Sequence, residues 1–405
     1  MRYQIIFYTL LASILILRLF FFYSNAHQYQ DLEKVSFTTQ ILSSPKQYFN
    51  YQTIYVSIDD LEKVLIKTDL SREFNYGDYV NFTGNLKVLL LKDKSTIFTM
   101  NNPKIEARSR ENLSFLTNIY NLRQRIISNF KSNLDAKSAG LMLGIVFGIK
   151  DNLPKDFVNQ IQVTGVMHVI AASGMNVTMV SGFLFYLFAF LFKRQIAVIL
   201  SVLGILFYTA LAGFEASIIR AAIMGIIVFS AQIIGRQQYS FIALLITAFA
   251  MLFAFPKYLF DIGFQLSFMA TLGLLYIPPL FKRFQNDFTE IIIITISAQI
   301  ATLPILLINF GNYSIFSVLA NALVLWTVPI LMILGSISTF FSFIFPEVAS
   351  LFLYLCLPFL LFFEKTVEFF ARFGSTFNLA SIPWQFGVAY YLFLLSILAK
   401  RKKWA

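Results

Sequence analysis

The chain has 405 residues, 58% of them hydrophobic and only 13% charged. A soluble domain cannot hide that much apolar surface, so the composition excludes one and indicates a polytopic membrane protein. The net charge of +11 reads as loop lysine and arginine that set membrane orientation, not as a nucleic-acid footprint. The lone Cys356 excludes an internal disulfide and a cysteine zinc cluster. His27 and His168 lie far apart and argue against a histidine metal site.

Residues 4–23, QIIFYTLLASILILRLFFFY, predict a first transmembrane helix within 1–27. Ser24-Asn25-Ala26 resembles a signal-peptidase site. The length of the run and Arg18 inside it favour an uncleaved helix with Arg18 reaching the outer interface. Residues 28–112 change character. Short alternating runs such as TIYVSI and KVLIKT, with turn signals at Gly77-Asp78 and Asn101-Asn102-Pro103, predict about five strands. Five strands in this length fit a small extracytoplasmic OB-like β-barrel. Tyr48, Tyr51, Tyr55 and Phe82 either stack on bases of a single strand or fill the barrel core, and the core is the favoured reading.

Residues 113–160 form the next block. LSFLTNIYNLRQRIISNFKSNLD at 113–135 is amphipathic, with Arg123, Arg125 and Lys131 on its polar face, and is expected on the membrane surface. AKSAGLMLGIVFGI at 136–149 is too short to span and rich in small residues, so it is expected to be re-entrant or buried. Residues 161–405 form a polytopic transmembrane domain. Its apolar segments fall near 169–192, 195–213, 217–235, 240–256, 261–281, 288–309, 314–344, 347–370 and 386–399. With the first helix they make about ten spans. Strict alternation then puts Arg2, Lys193-Arg194, Arg236, Lys282-Arg283 and the basic tail on one side, with both termini cytoplasmic. The long segment 314–344 carries Asn321, Pro329 and Gly335 and is expected to be kinked or broken.

The centre of interest is Ile161 to Gly182, IQVTGVMHVIAASGMNVTMVSG, polar and glycine-bearing within an uncharged run. Polar backbone at membrane depth is tolerated only beside protein or a water-filled cavity. Arg220 is a candidate counter-charge for a passing anion, or else the partner of Glu215. Gln265, Ser267, Gln299 and Thr302 read singly as helix-bridging groups. Ser173-Gly174 lacks the pattern of a nucleophile elbow. There is no Walker motif, HExxH or metal-ligand spacing, so no catalytic residue, metal or cofactor is expected.

Five stretches in order carry a resemblance. They are GIVFGIKDNLPKDF, TGVMHVIAASGMNV, SIIRAAIM followed by GRQQ, FDIGFQLSFMATLGLL, and ATLPILLINFGNYSIFSVLANALVLWTVP, covering about 114–345. The chain resembles the ComEC competence-channel family. That resemblance implies an inner-membrane channel for uptake of single-stranded DNA during natural transformation. It singles out His168, Ser173, Gly174, Asn176, Arg220, Gln265, Ser267, Asn321 and Pro329 for a DNA pathway. The strand would be received at Arg123, Arg125, Lys131, Tyr51 and Tyr55. Implied partners are single-stranded DNA, the lipid bilayer, a periplasmic or surface DNA receptor, a cytoplasmic helicase or ATPase, a separate nuclease, and further copies of the chain. Two departures stand out. Asn176 replaces a histidine of the family pattern, and no HxHxDH cluster of a metallo-β-lactamase-like domain follows the last segment. The expectation is therefore a channel without the nuclease. The alternatives are a secondary transporter of a small anionic solute and a scaffold that recruits a nuclease or ATPase.

Overall fold

The computed structural model describes residues 2–25, 31–41, 46–47, 49–58, 62–71, 74, 78–90, 96–107, 114–150, 153–170, 174–234, 240–284, 287–314, 316–373, 376–378 and 382–402. It divides into two compact units. One holds Met1–Gln124 with Phe255–Lys257, the other Arg125–Ala254 with Tyr258–Ala405.

The first unit opens with helix α1 (Arg2–Ser24) and continues with eight strands: β1 (Lys34–Gln40), β2 (Lys46–Gln47), β3 (Gln52–Ile58), β4 (Glu62–Thr68), β5 (Tyr79–Asn85), β6 (Lys87–Leu90), β7 (Thr96–Asn101) and β8 (Lys104–Ala107). Alternation of apolar and polar residues along β3 and β4 buries Ile54, Val56, Ile58, Val64 and Ile66 on one face. With Phe82, Leu86 and Met100 they form a single apolar core. The strands make two sheets, β1-β5-β8 and β2-β3-β4-β7-β6. Buried Leu86 turns the chain from one into the other, held by Leu86 N–H to the Glu33 carbonyl at 2.9 Å. The expected barrel is therefore not closed among the described residues. The described strands form two sheets around one core, with no ladder between their edges among the described residues. Phe82 is fully buried and belongs to that core.

The second unit is helical. After α2 (Ser114–Asn133) come α3 (Ala136–Phe147), α4 (Lys155–Thr164), α5 (Met167–Ile170), α6 (Gly174–Leu191), α7 (Arg194–Leu211), α8 (Ala216–Ile234), α9 (Ser240–Ala254), α10 (Ile262–Tyr276) and α11 (Asp287–Phe310). The short strand β9 (Asn312–Ser314), α12 (Ser317–Val324), α13 (Thr327–Phe341), α14 (Pro346–Arg372), strand β10 (Thr376–Asn378) and α15 (Trp384–Lys402) complete it. Where about ten spans were expected, five described helices are long and apolar enough to cross a membrane, or six with α12–α13 as one bent span. Apolar side chains face outward, Phe190 being 88% and Tyr186 77% exposed. Such surface is stable only in lipid.

Helix α3 is the hub. Every residue from Ser138 to Ile149 is buried. Its start is capped by Asp135, whose carboxylate accepts the Lys137 and Ser138 N–H groups. Lys137 pairs with Glu368 at 2.6 Å, and the Ser138 hydroxyl donates to Glu364 on α14 at 2.7 Å. Its other end stops inside the bundle, where four carbonyls lack intrahelical donors. Gly148, at φ 72°, turns the chain so that its N–H reaches the Gly144 carbonyl and the Ile149 N–H reaches Leu143. The Ile145 carbonyl accepts Asn176 Nδ2 at 2.7 Å, and Val146 accepts the Tyr208 hydroxyl at 2.7 Å. Gly144, Ile145 and Val146, three of those four, thus have donors within the protein. Tyr208→Phe should lower stability by about 1–3 kcal/mol, the cost of one orphaned buried carbonyl. Thermal unfolding in detergent measures it, and an unchanged midpoint would mean that Val146 has another donor.

Candidate functional site

The site is assembled from helices that meet in the second unit. Arg220 lies one turn into α8 and is 8% exposed. Its Nε donates to the Ser267 hydroxyl of α10 at 2.6 Å. The guanidinium lies 5.9 Å from the Phe268 ring centroid, and its Nη1 is 3.3 Å from Met224 Sδ. Gly174, the first residue of α6, forms the remaining wall. A Cβ there would lie 2.3 Å from Arg220 Nη2, so glycine is what lets the guanidinium approach. Glu215, the other partner considered for Arg220, forms an ion pair with Lys150 at 3.7 Å. Arg220 therefore carries its charge against a hydroxyl, a thioether and a ring face, in a setting where an arginine is costly.

The other residues singled out from sequence fall in separate places. Asn176 is fully buried and caps α3 through the Ile145 carbonyl. Gln265 Nε2 donates to the Leu259 carbonyl at 3.0 Å and braces the turn before α10. Gln299 Nε2 donates to Ser317 on α12 at 2.9 Å, and Thr302 bonds the Ala298 carbonyl of its own helix. Pro329 is the third residue of α13, where its missing N–H costs nothing. Asn321 is fully buried with neither amide atom partnered among the described residues. Ser173 and Tyr48 lie outside the described residues.

His168 on α5 is exposed, and its ring bonds the Gly165 backbone. Of the surface residues, Arg125 and Lys131 are exposed and Arg123 is half-buried. Tyr55 is 44% exposed, and the Lys67 ammonium sits 3.9 Å from the centre of the half-buried Tyr51 ring. Sequence reasoning missed Tyr208, whose hydroxyl shares the α3 cap with Asn176. A tyrosine at the end of an apolar helix gives no cue to a carbonyl 62 positions away.

Fold and site together define a polytopic membrane protein with an arginine held at a junction of three helices. The family model described as "Competence protein" matches residues 145–404, and the chain belongs to that family. It is 31% identical over 211 residues to "ComE operon protein 3" of Bacillus subtilis (strain 168), covering 52% of this chain and 27% of that protein. It is 30% identical over 230 residues to an "Uncharacterized protein" of Aquifex aeolicus (strain VF5), covering 56% of this chain and 54% of the other. The matched region thus amounts to about a quarter of one relative and about half of the other. No solved structure matches the chain.

Proposed function

We propose that the chain is an inner-membrane channel that takes up single-stranded DNA during natural transformation. The observation that carries this reading is membership of the competence family over residues 145–404. A DNA backbone brings one negative charge per nucleotide, and none can enter hydrocarbon uncompensated. Arg220, buried with no ion pair among the described residues, supplies fixed positive potential. His168 supplies an exposed polar group. With Ser173, Gly174, Asn176, Gln265, Ser267, Asn321 and Pro329 they belong to the proposed pathway, with Gly174, Asn176 and Gln265 acting by holding its walls in place.

In this reading the membrane is crossed ten times: by the five long helices, the bent pair α12–α13, and four of the shorter apolar helices. Both termini are cytoplasmic, and residues 28–112 lie outside as an OB-like domain. Tyr51, Tyr55, Arg123, Arg125 and Lys131 receive the strand by stacking and charge. A receptor, an ATPase or helicase and a nuclease are separate proteins. A small-anion transporter is the second reading, favoured by the 45° bend between α12 and α13. Deleting the gene in a competent host should abolish transformation by free DNA, and a plasmid copy should restore it. Normal frequency in the deletion strain overturns the channel.

A further inference from the structure

Helix α12 and helix α13 meet at a 45° bend across Leu325 and Trp326. The bend costs few hydrogen bonds. The Leu325 N–H still reaches the Asn321 carbonyl at 2.9 Å, and the Thr327 hydroxyl takes the Val324 carbonyl at 2.7 Å. Helix α13 is anchored beyond it, since Ser338 Oγ donates to the Ala349 carbonyl of α14 at 2.9 Å. A Cβ on Gly335 would lie 2.3 Å from Met142 Cε of α3, which marks how closely those helices meet. The start of α12 rests instead on Gly165, where a Cβ would come 2.7 Å from Ser317 Cβ.

Against that background Asn321 is anomalous. It is fully buried on α12, yet both Nδ2 and Oδ1 lack a partner among the described residues. Buried amides in native proteins are nearly always bonded, and an exception calls for a reason. We infer that α12 is a gate that pivots about its joint with α13, and that the Asn321 amide is paired only in the pivoted position. The unpaired amide raises the free energy of the closed packing and so narrows its advantage over the pivoted position. What the gate admits rests on the DNA-channel reading; that it moves does not.

The test uses the full-length chain in detergent, with Cys356→Ala to remove the native thiol and Ala320→Cys as reporter. Ala320 is fully buried, so a water-soluble maleimide reaches this position only when α12 moves. The expected result is slow labelling that Asn321→Leu slows further by about tenfold, as a population shift of that size requires. Thermal stability should rise in the same variant, because an apolar side chain ends the penalty. Asn321→Val serves if leucine prevents folding, with the same two expectations. Equal labelling with and without the substitution overturns the gate. So does a loss of stability in both variants, which would show the amide to be bonded through a held water. Neither readout needs DNA, so a failed gate and a failed channel are told apart.

Discussion

Arg220→Lys should lower DNA uptake by about tenfold or more while the protein remains expressed and membrane-inserted. Lysine keeps the charge but has no Nε, so the 2.6 Å bond to Ser267 is lost. It also lacks the planar face that lies over Phe268 and against Gly174. A hydrogen bond from a charged donor is worth about 1.5–3 kcal/mol, and 1.4 kcal/mol is a factor of ten. Transformation frequency normalised to membrane abundance measures the effect. Uptake equal to the parent would mean that the position contributes charge alone. Arg220→Ala should be worse, since Ser267 and the junction of α6, α8 and α10 then have no cation between them.

The second large effect is expected at Gly273→Leu. Helix α10 crosses α11 there so closely that a Cβ would lie 2.5 Å from Ala301 Cβ and 2.7 Å from the Ser297 carbonyl oxygen. Backbone cannot swing aside as a long side chain can, so the helices must part. Overpacking of this kind costs about 1–3 kcal/mol. Because α10 also carries Ser267, separation pulls the hydroxyl away from Arg220. A lower unfolding midpoint in detergent together with reduced uptake is the expected pair. Reduced stability with normal uptake would show that the Arg220 contact survives the shift and is dispensable.

Much of this was legible before any coordinates. Apolar runs and their spacing marked the helices, and the composition of 136–149 indicated a segment either re-entrant or buried, of which 138–149 proves buried. Asn321, Pro329 and Gly335 in 314–344 foretold an interruption. Its position at Leu325 and Trp326, ahead of the proline, was not foretold, because proline sits comfortably in the first turn of α13. Which polar residues meet was beyond reach for a plain reason. Arg220 and Ser267 are 47 positions apart, and Asn176 finds its acceptor 31 positions back. Local pattern reports which face of a helix is apolar and says nothing of the face it will meet. Asn321 and Asn176 look alike in sequence, yet one amide is bonded and the other has no partner among the described residues.

The ribbon of β9 and β10 has one more implication. Thr376, Phe377 and Asn378 pair antiparallel with Ser314, Tyr313 and Asn312, tying the chain just before α12 to the chain just after α14. The segment between is a hoop fastened at its base. A strip of protein with one loose end could peel outward; a fastened hoop can change shape only by flexing at a crease within it. A pivot of α12 must therefore be absorbed at both of its ends, at residues 325 and 326 and where β9 meets α12, and cutting the backbone within the hoop would loosen it without setting either rim adrift.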